Sequence, residues 1–221
     1  MPTRRPCSSW ASGSPAKCSG SAAPYWRLAY TSRNEEGSAS WEFGTYGLAA
    51  ATFPGRDTSS GRDRQLDVGV DAQYQVTTGS NDVLVMASWT HENQSWHASQ
   101  PLGLVSNARD NLWKATATTY LLHDKTYGFG IQYFVTDGTR DALLNPESAS
   151  GTPLSDGVLL EANWLPLNKR GGPGFWPRSN MKLSLQYIIY NRFNGSRMNY
   201  DGNGRGASGN NTLFAGAWIA F

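Results

Sequence analysis

The stretch Arg64-Gln-Leu-Asp-Val-Gly-Val-Asp-Ala-Gln-Tyr-Gln-Val-Thr-Thr78 alternates without a break. Leu66, Val68, Val70, Ala72, Tyr74 and Val76 are apolar or aromatic, and Asp67, Gly69, Asp71, Gln73, Gln75 and Thr77 fall between them. Successive side chains of a β-strand point to opposite faces. A strand therefore has one greasy face here and one acidic, amide or bare face. A helix would mix the two sets, so the reading is strand.

Working outward, the same period of two recurs. Met181, Leu183, Leu185, Tyr187 and Ile189 alternate with Lys182, Ser184 and Gln186; Arg192 continues the polar set, and Ile188 and Tyr190 break it. Tyr127, Phe129, Ile131, Tyr133 and Val135 oppose Gly128, Gly130, Gln132, Phe134 and Thr136. Val158, Leu160, Ala162 and Trp164 oppose Leu159, Glu161 and Asn163, and Trp41 and Phe43 oppose Glu42 and Gly44. Weaker copies run through Tyr25–Asn34, Asp82–His91 and Asn111–His123, and the last lies at Thr212–Phe221. About nine strands are expected, with no amphipathic helix.

The connections alternate in length. Arg33–Ala39, Thr78–Asp82 and Asp124–Lys125 are short; Pro54–Asp63, His91–Asp110, Asp137–Gly157 and Gly195–Asn211 are longer, and Leu167–Ser179 is the exception. A sandwich has no reason to gather its long loops at one end. A transmembrane barrel has, with short periplasmic turns and long external loops. The expected fold is an all-β, antiparallel up-and-down transmembrane β-barrel.

Composition agrees. Of 221 residues 16% are charged, against roughly 25% in an average protein, yet the mean hydropathy is −0.49. Uncharged polar residues and glycine fill the difference. No apolar run approaches the roughly 20 residues of a spanning helix. A net charge of +2 makes no electrostatic case for a nucleic-acid partner. A soluble β-sandwich or lipocalin-like barrel also alternates, but it turns its polar face to water and covers it with Lys and Glu. Here the polar face holds Gly, Ser, Thr, Gln, Asn and a few charges of both signs, which suits a lumen. A soluble or secreted β-sheet ligand-binding domain is the alternative function. Trp26, Tyr30, Trp41, Trp89, Trp113, Tyr127 and Trp164 lie near strand ends on the apolar face. That is where aromatic girdles meet headgroups, although aromatics also favour ordinary sheets.

Residues 1–20 are rich in Ser, Ala, Gly and Pro and carry Arg4 and Arg5 without an apolar h-region. They read as a disordered, atypical leader rather than a signal peptide. Cys7 and Cys18 lie within it; they form no CxxC, and neither precedes a His. Residues 21–221 are read as the barrel portion.

Candidate chemistry is sparse. Arg27, Glu42, Asp67, Asp71, Lys114, Glu161, Lys182 and Arg192 are expected to face the lumen, where charges of both signs set a transverse field or pair with one another. His91 and His97 are placed at the start of a long polar loop, without zinc-like spacing. Ser95 and Ser99 sit near His97, and Asp124 adjoins His123; such neighbours arise readily in polar loops, so no catalysis is expected. The Gly-rich runs 202–206 and 171–174 read as loops, since neither lies between a strand and a helix. Asp201, Asn203 and Asn211 lack Ca²⁺-ligand spacing. No metal site is expected.

The chain ends Leu213-Phe-Ala-Gly-Ala-Trp-Ile-Ala-Phe221. This resembles the C-terminal sorting signal of bacterial outer-membrane proteins, with Phe221, Ile219, Ala217, Ala215 and Leu213 in the alternating positions. The strings Ala23-Pro-Tyr-Trp-Arg-Leu-Ala-Tyr30, Thr52-Phe-Pro-Gly-Arg56 with Asp71-Ala-Gln-Tyr-Gln75, Ala87-Ser-Trp-Thr-His-Glu-Asn93 and Leu185-Gln-Tyr-Ile-Ile-Tyr-Asn-Arg-Phe-Asn-Gly195, continuing through Asn199-Tyr-Asp-Gly202 to the end, resemble proteobacterial outer-membrane proteins labelled as a cytochrome c family. The resemblance covers about residues 21–221. It implies a bacterial outer-membrane location, contact with outer-membrane lipid and the barrel-assembly machinery, and a redox partner. Full members resemble this chain in their second half only and begin with a signal peptide and a CxxCH segment. CxxCH is absent here, so no cofactor is expected in this chain; haem belongs to a longer form. The implied role is a pore, or the membrane sleeve of a redox module, with no catalysis of its own. Nine strands is an odd number, while single-chain bacterial barrels have even counts. The expectation is therefore an incomplete, C-terminal portion of a larger barrel.

Overall fold

A computed structural model of the chain describes residues 18–19, 23–167 and 179–220. It is all-β and antiparallel. The strands are β1 (Cys18–Ser19), β2 (Tyr25–Arg33), β3 (Ala39–Phe53), β4 (Asp63–Thr78), β5 (Asn81–Ser95), β6 (Arg109–His123), β7 (Tyr127–Gly138), β8 (Ser155–Trp164), β9 (Asn180–Arg192) and β10 (Thr212–Ala220). Each long strand pairs with its neighbours in sequence, from β2 to β10, in a single sheet. The two-residue β1 pairs with the end of β3, beyond β2. The remaining regular structure described is two 3₁₀ turns, Pro54–Arg56 and Ala207–Asn210. None of the described helices is long and apolar enough to cross a membrane.

The sheet is open. Among the described residues β2 borders only β3, and β10 borders only β9. Nine long strands in strict up-and-down order make β2 and β10 run the same way.

Local chemistry explains the hairpins. Asp124 and Lys125 have φ of 53° and 52°, the left-handed central pair of a turn that the Thr126 N–H closes on the His123 carbonyl. With Thr126 they make a three-residue connection, and the register runs outward from His123↔Tyr127. At the next hairpin towards the N-terminus Gly79 takes φ of 59°, and Thr78 pairs with Asn81.

Burial is inverted relative to a soluble domain. On β4, Leu66, Val68, Val70 and Tyr74 are exposed, Val70 by 49%, while Asp67, Asp71 and Gln73 are half-buried and Gly69 is buried. On β7, Tyr127, Phe129, Ile131 and Tyr133 are exposed, whereas Gly130, Gln132 and Phe134 are half-buried. Side chains two strands apart touch on the polar face. Arg27 reaches Asp71, Tyr46 reaches Thr90, Asn163 reaches Tyr120, and the rings of Phe134 and Tyr190 lie 5.6 Å apart. Next-nearest strands are separated by roughly 9.6 Å, so these contacts mark the polar face as the concave one.

The buried apolar residues lie elsewhere. Phe53, Trp96, Ala98, Val105, Tyr200 and Ala207 gather in the long connections and the strand ends that enter them. A small packed core therefore sits at the long-loop end, where the sequence reads only as polar loop.

Candidate functional site

The polar concave face carries the charges, and the pairing register places them. Arg27 on β2 donates to Asp71 on β4 at 2.5 and 2.8 Å and to Glu42 on β3 at 2.9 Å. Glu42 also accepts from Thr31 Oγ1 at 3.0 Å. The contact passes over Gly44, where a side chain would collide with both Asp71 and Arg27. One guanidinium thus ties three strands together.

Asp67 and Glu92 stand directly opposite each other on β4 and β5. Like charges so placed repel. Lys114 pairs with Thr90, one diagonal step from Glu92, and supplies the local countercharge. Glu92 Oε1 accepts from Gln94 Nε2 at 2.7 Å, while Asp67 Oδ1 is buried without a hydrogen-bond partner. Glu161 accepts from Asn163 at 2.5 Å and from Gln186 at 3.0 Å. Lys182 pairs with Trp218 on the same face near the short-turn end. Asp82 and Glu92 join this face although the sequence reading does not single them out. The signal for Glu92 was available, because the alternation of β5 continues to Ser95. On this face of the described strands acids outnumber bases.

Arg192 departs from the expected alternation. The register shifts between Asp156 and Gly157, and Arg192 lands opposite Asp156. Arg192 Nε donates to Asp156 Oδ1 at 2.5 Å, and the hydroxyl of Tyr133, from the apolar set of β7, donates to Asp156 Oδ2 at 3.2 Å. The bulge turns this ion pair towards the apolar face at the long-loop end. A bulge adds a residue and exchanges the faces beyond it, which periodicity cannot register.

His91 also lies elsewhere than expected. It is inside β5 on the apolar face, stacked on Trp89 with ring centroids 5.9 Å apart. His97 is exposed in the following connection, and His123 Nδ1 meets Asn81 Oδ1 at 2.9 Å at the opposite end. Ser99 Oγ donates to Asp63, not to a histidine. Asp201 Oδ1 accepts the backbone N–H groups of Asn203 and Arg205, and Asn211 Oδ1 accepts that of Tyr190, so the two serve separate turns. Among the described residues no three His, Cys, Asp or Glu side chains converge as metal ligands.

Four aspartates organise the long-loop end. Asp63 is fully buried and accepts from the N–H groups of Ala98 and Ser99 and from Ser99 Oγ. Asp110 accepts from Trp96 Nε1 and Asn107 Nδ2, both at 2.8 Å. Asp141 accepts four backbone N–H groups, from Ser106, Asn107, Leu143 and Leu144. Asp156 accepts from Arg192, Asn191 and Tyr133. Burial alone would raise the Asp141 pKa; the backbone donors of Leu144, Asn107 and Ser106 outweigh it and hold the carboxyl below its ordinary value.

Leu213, Ala215, Ala217 and Ile219 lie on one face of β10, opposite Tyr187, Leu185, Leu183 and Met181 of β9. Phe221 lies outside the described residues, as do residues 1–17 of the expected leader. No protein-family model matches the chain, and neither the curated proteins nor the solved structures contain a match to it.

Proposed function

We propose that this chain forms the wall of a bacterial outer-membrane β-barrel, acting as a pore or as the membrane sleeve of a redox module, with no catalysis of its own. The observation that carries the reading is the inverted burial: the apolar face is the exposed one. Half of one aromatic side chain amounts to roughly 75–125 Å². Trp41, Phe43, Tyr74, Phe129 and Tyr133, each exposed by more than a third, therefore approach by themselves the few hundred Å² that a soluble monomer tolerates in one patch. In hydrocarbon that exposure carries no such cost. The alternative, a soluble β-sheet ligand-binding domain, would have to hide the same face.

The band has the right height. Leu66 to Val76 on β4 is ten residue steps, roughly 33 Å along the strand and about 25 Å at the tilt of a barrel strand. Polar residues bound it on the same face, with Arg64 beyond Leu66, Asn111 beyond Trp113, and Asp137 beyond Val135. A redox partner and a haem-bearing longer form rest on the resemblance of the sequence strings; the polar face offers a charged wall that suits either role. Assembly would pass through the barrel-assembly machinery by way of the alternating residues of β10 and the Phe221 that follows it in sequence.

Fractionation tests the reading. Expressed with an export signal, the protein is expected in the outer-membrane fraction and released only by detergent. Recovery in the soluble periplasmic fraction would overturn it and favour the soluble alternative.

A further inference from the structure

Two aspartate–arginine neighbours mark the long-loop end of the sheet. Asp63-Arg64 opens β4 and Arg109-Asp110 opens β6. Alternation sends the two members of each pair to opposite faces. The acids turn inward and are buried, bonded to Ala98 and Ser99 and to Trp96 and Asn107. The bases turn to the apolar face and are exposed. Ala51, Arg64, Ser95 and Arg109 form one cross-strand row there, because Ala51 pairs with Arg64, Arg64 with Ser95, and Ser95 with Arg109. The two arginine backbones are about 10 Å apart, two strand spacings.

Neither guanidinium has a hydrogen bond or ion pair among the described residues, since the carboxylates beside them in sequence are committed on the other face. The nearest outer-face carboxylate along the sheet, Asp137, lies two rows down opposite Trp113 and accepts from the Gly138 N–H. Directly beneath Arg64 a groove of about 500 Å³ runs between Pro24, Ala49, Ala51, Leu66 and Asn93. Its floor is open because Ala49 and Ala51 are small. A groove with an apolar floor and a guanidinium at its rim matches one ligand form, an alkyl chain ending in an anionic group. Its place at the top edge of the exposed apolar band is the level of lipid headgroups.

Resting on the membrane reading above, we infer that Arg64, Ser95 and Arg109 form a docking site for an anionic, phosphate-headed membrane lipid. Its acyl chain lies in the Ala49–Leu66 groove and its phosphate sits between the two guanidiniums, which present planar donor forks suited to it. Among the described residues, the matching cross-strand positions at the opposite, short-turn end of the same face carry Asn81 and His123 in place of arginines.

The experiment is native mass spectrometry of the full chain released from detergent micelles doped with phosphatidylglycerol or phosphatidylcholine. The wild type is expected to retain phosphatidylglycerol at least tenfold more than phosphatidylcholine. Arg64→Ala with Arg109→Ala should abolish that preference. Arg64→Lys with Arg109→Lys should keep part of it, and Arg140→Ala with Arg197→Ala, an equal charge loss at the same end, should keep all of it. Equal retention of the two lipids by the wild type, or equal loss in both alanine pairs, would overturn the site while leaving the membrane reading intact. A chain that leaves micelles for buffer as a soluble monomer would overturn both.

Discussion

The hydroxyls of Tyr46 and Thr90 lie 2.6 Å apart although their strands, β3 and β5, are not neighbours. Gly69 of β4 lies between them, and a Cβ there would fall inside the Tyr46 ring. The ring fills the slot that glycine leaves, and the hydrogen bond closes it. Tyr120 does the same over Gly128, where it accepts from Asn163 Nδ2 at 3.0 Å. Phe134 lies over Gly157 and meets Tyr190 edge-on. These aromatic–glycine seats give the polar face its packing and draw alternate strands together.

Gly69→Ala should therefore destabilise the folded sheet by about 1–3 kcal/mol, the cost of overpacking. Tyr46→Ala should recover part of that loss when combined with it. A double-mutant cycle on urea unfolding in lipid vesicles measures the coupling, and strict additivity would show that the ring does not occupy the slot.

The two faces should respond oppositely to charge. Val70 is exposed on the apolar face and Gln73 is half-buried on the polar face. If the sheet spans a membrane as proposed, Val70→Lys falls near the bilayer midplane and should cost roughly 2–4 kcal/mol, and Gln73→Lys much less. Equal shifts in the urea midpoint for the two variants would contradict the assignment of faces.

The division of the faces was legible in the sequence, because a period of two is a local signal and the strands keep it for up to sixteen residues in β4. The pairing of Arg27 with Asp71 was not, since it needs the register of two hairpins across forty-four residues. Only the face of Arg27, Glu42, Asp67, Asp71, Lys114, Glu161 and Lys182 followed from alternation. Arg192 escaped because one bulge reverses the face. The packed long-loop end escaped for a different reason. Trp96, Val105 and Tyr200 are isolated apolar residues in polar segments; Asp63 and Asp141 bond mainly to backbone groups, which carry no sequence signature, and Asp110 and Asp156 bond to side chains that only the fold brings within reach.

Acid should loosen that end first. The Asp141 carboxyl is held below its ordinary value, which is about 3.9 when unperturbed. Its stabilising contribution is therefore complete above that value and is lost as pH falls through the lower, folded-state value. Protease cleavage of the segment between β7 and β8 should be slow at neutral pH and accelerate below about pH 4. Asp141→Asn should be cleaved readily at neutral pH, with a loss of about 1.5–3 kcal/mol from the weakened charge-assisted bonds. It should also show a flatter acid dependence. Identical pH profiles for wild type and variant would mean that the carboxylate does not hold the loop.

The edges pose the last test. If the sheet lies in a membrane as proposed, each unpaired backbone group in hydrocarbon costs several kcal/mol, so both β2 and β10 must find a partner there. If they closed on each other, nine up-and-down strands would meet in a parallel seam. An antiparallel closure instead requires an odd number of further strands between them. On the proposed reading of a bacterial outer-membrane barrel the second arrangement is expected, since single-chain barrels of that kind have even strand counts. Cysteines placed on one face, at Leu28 on β2 and Ala215 on β10, in a background with Cys7 and Cys18 replaced, distinguish the two. A parallel seam would bring some offset of such a pair within the Cα separation of about 4.4–6.8 Å that a disulfide needs. A scan of neighbouring positions on β10 covers the possible registers. Absence of any intramolecular cross-link across the scan, in protein folded into membranes, is the expected outcome. An efficient cross-link at one register would establish a nine-stranded barrel closed by parallel strands.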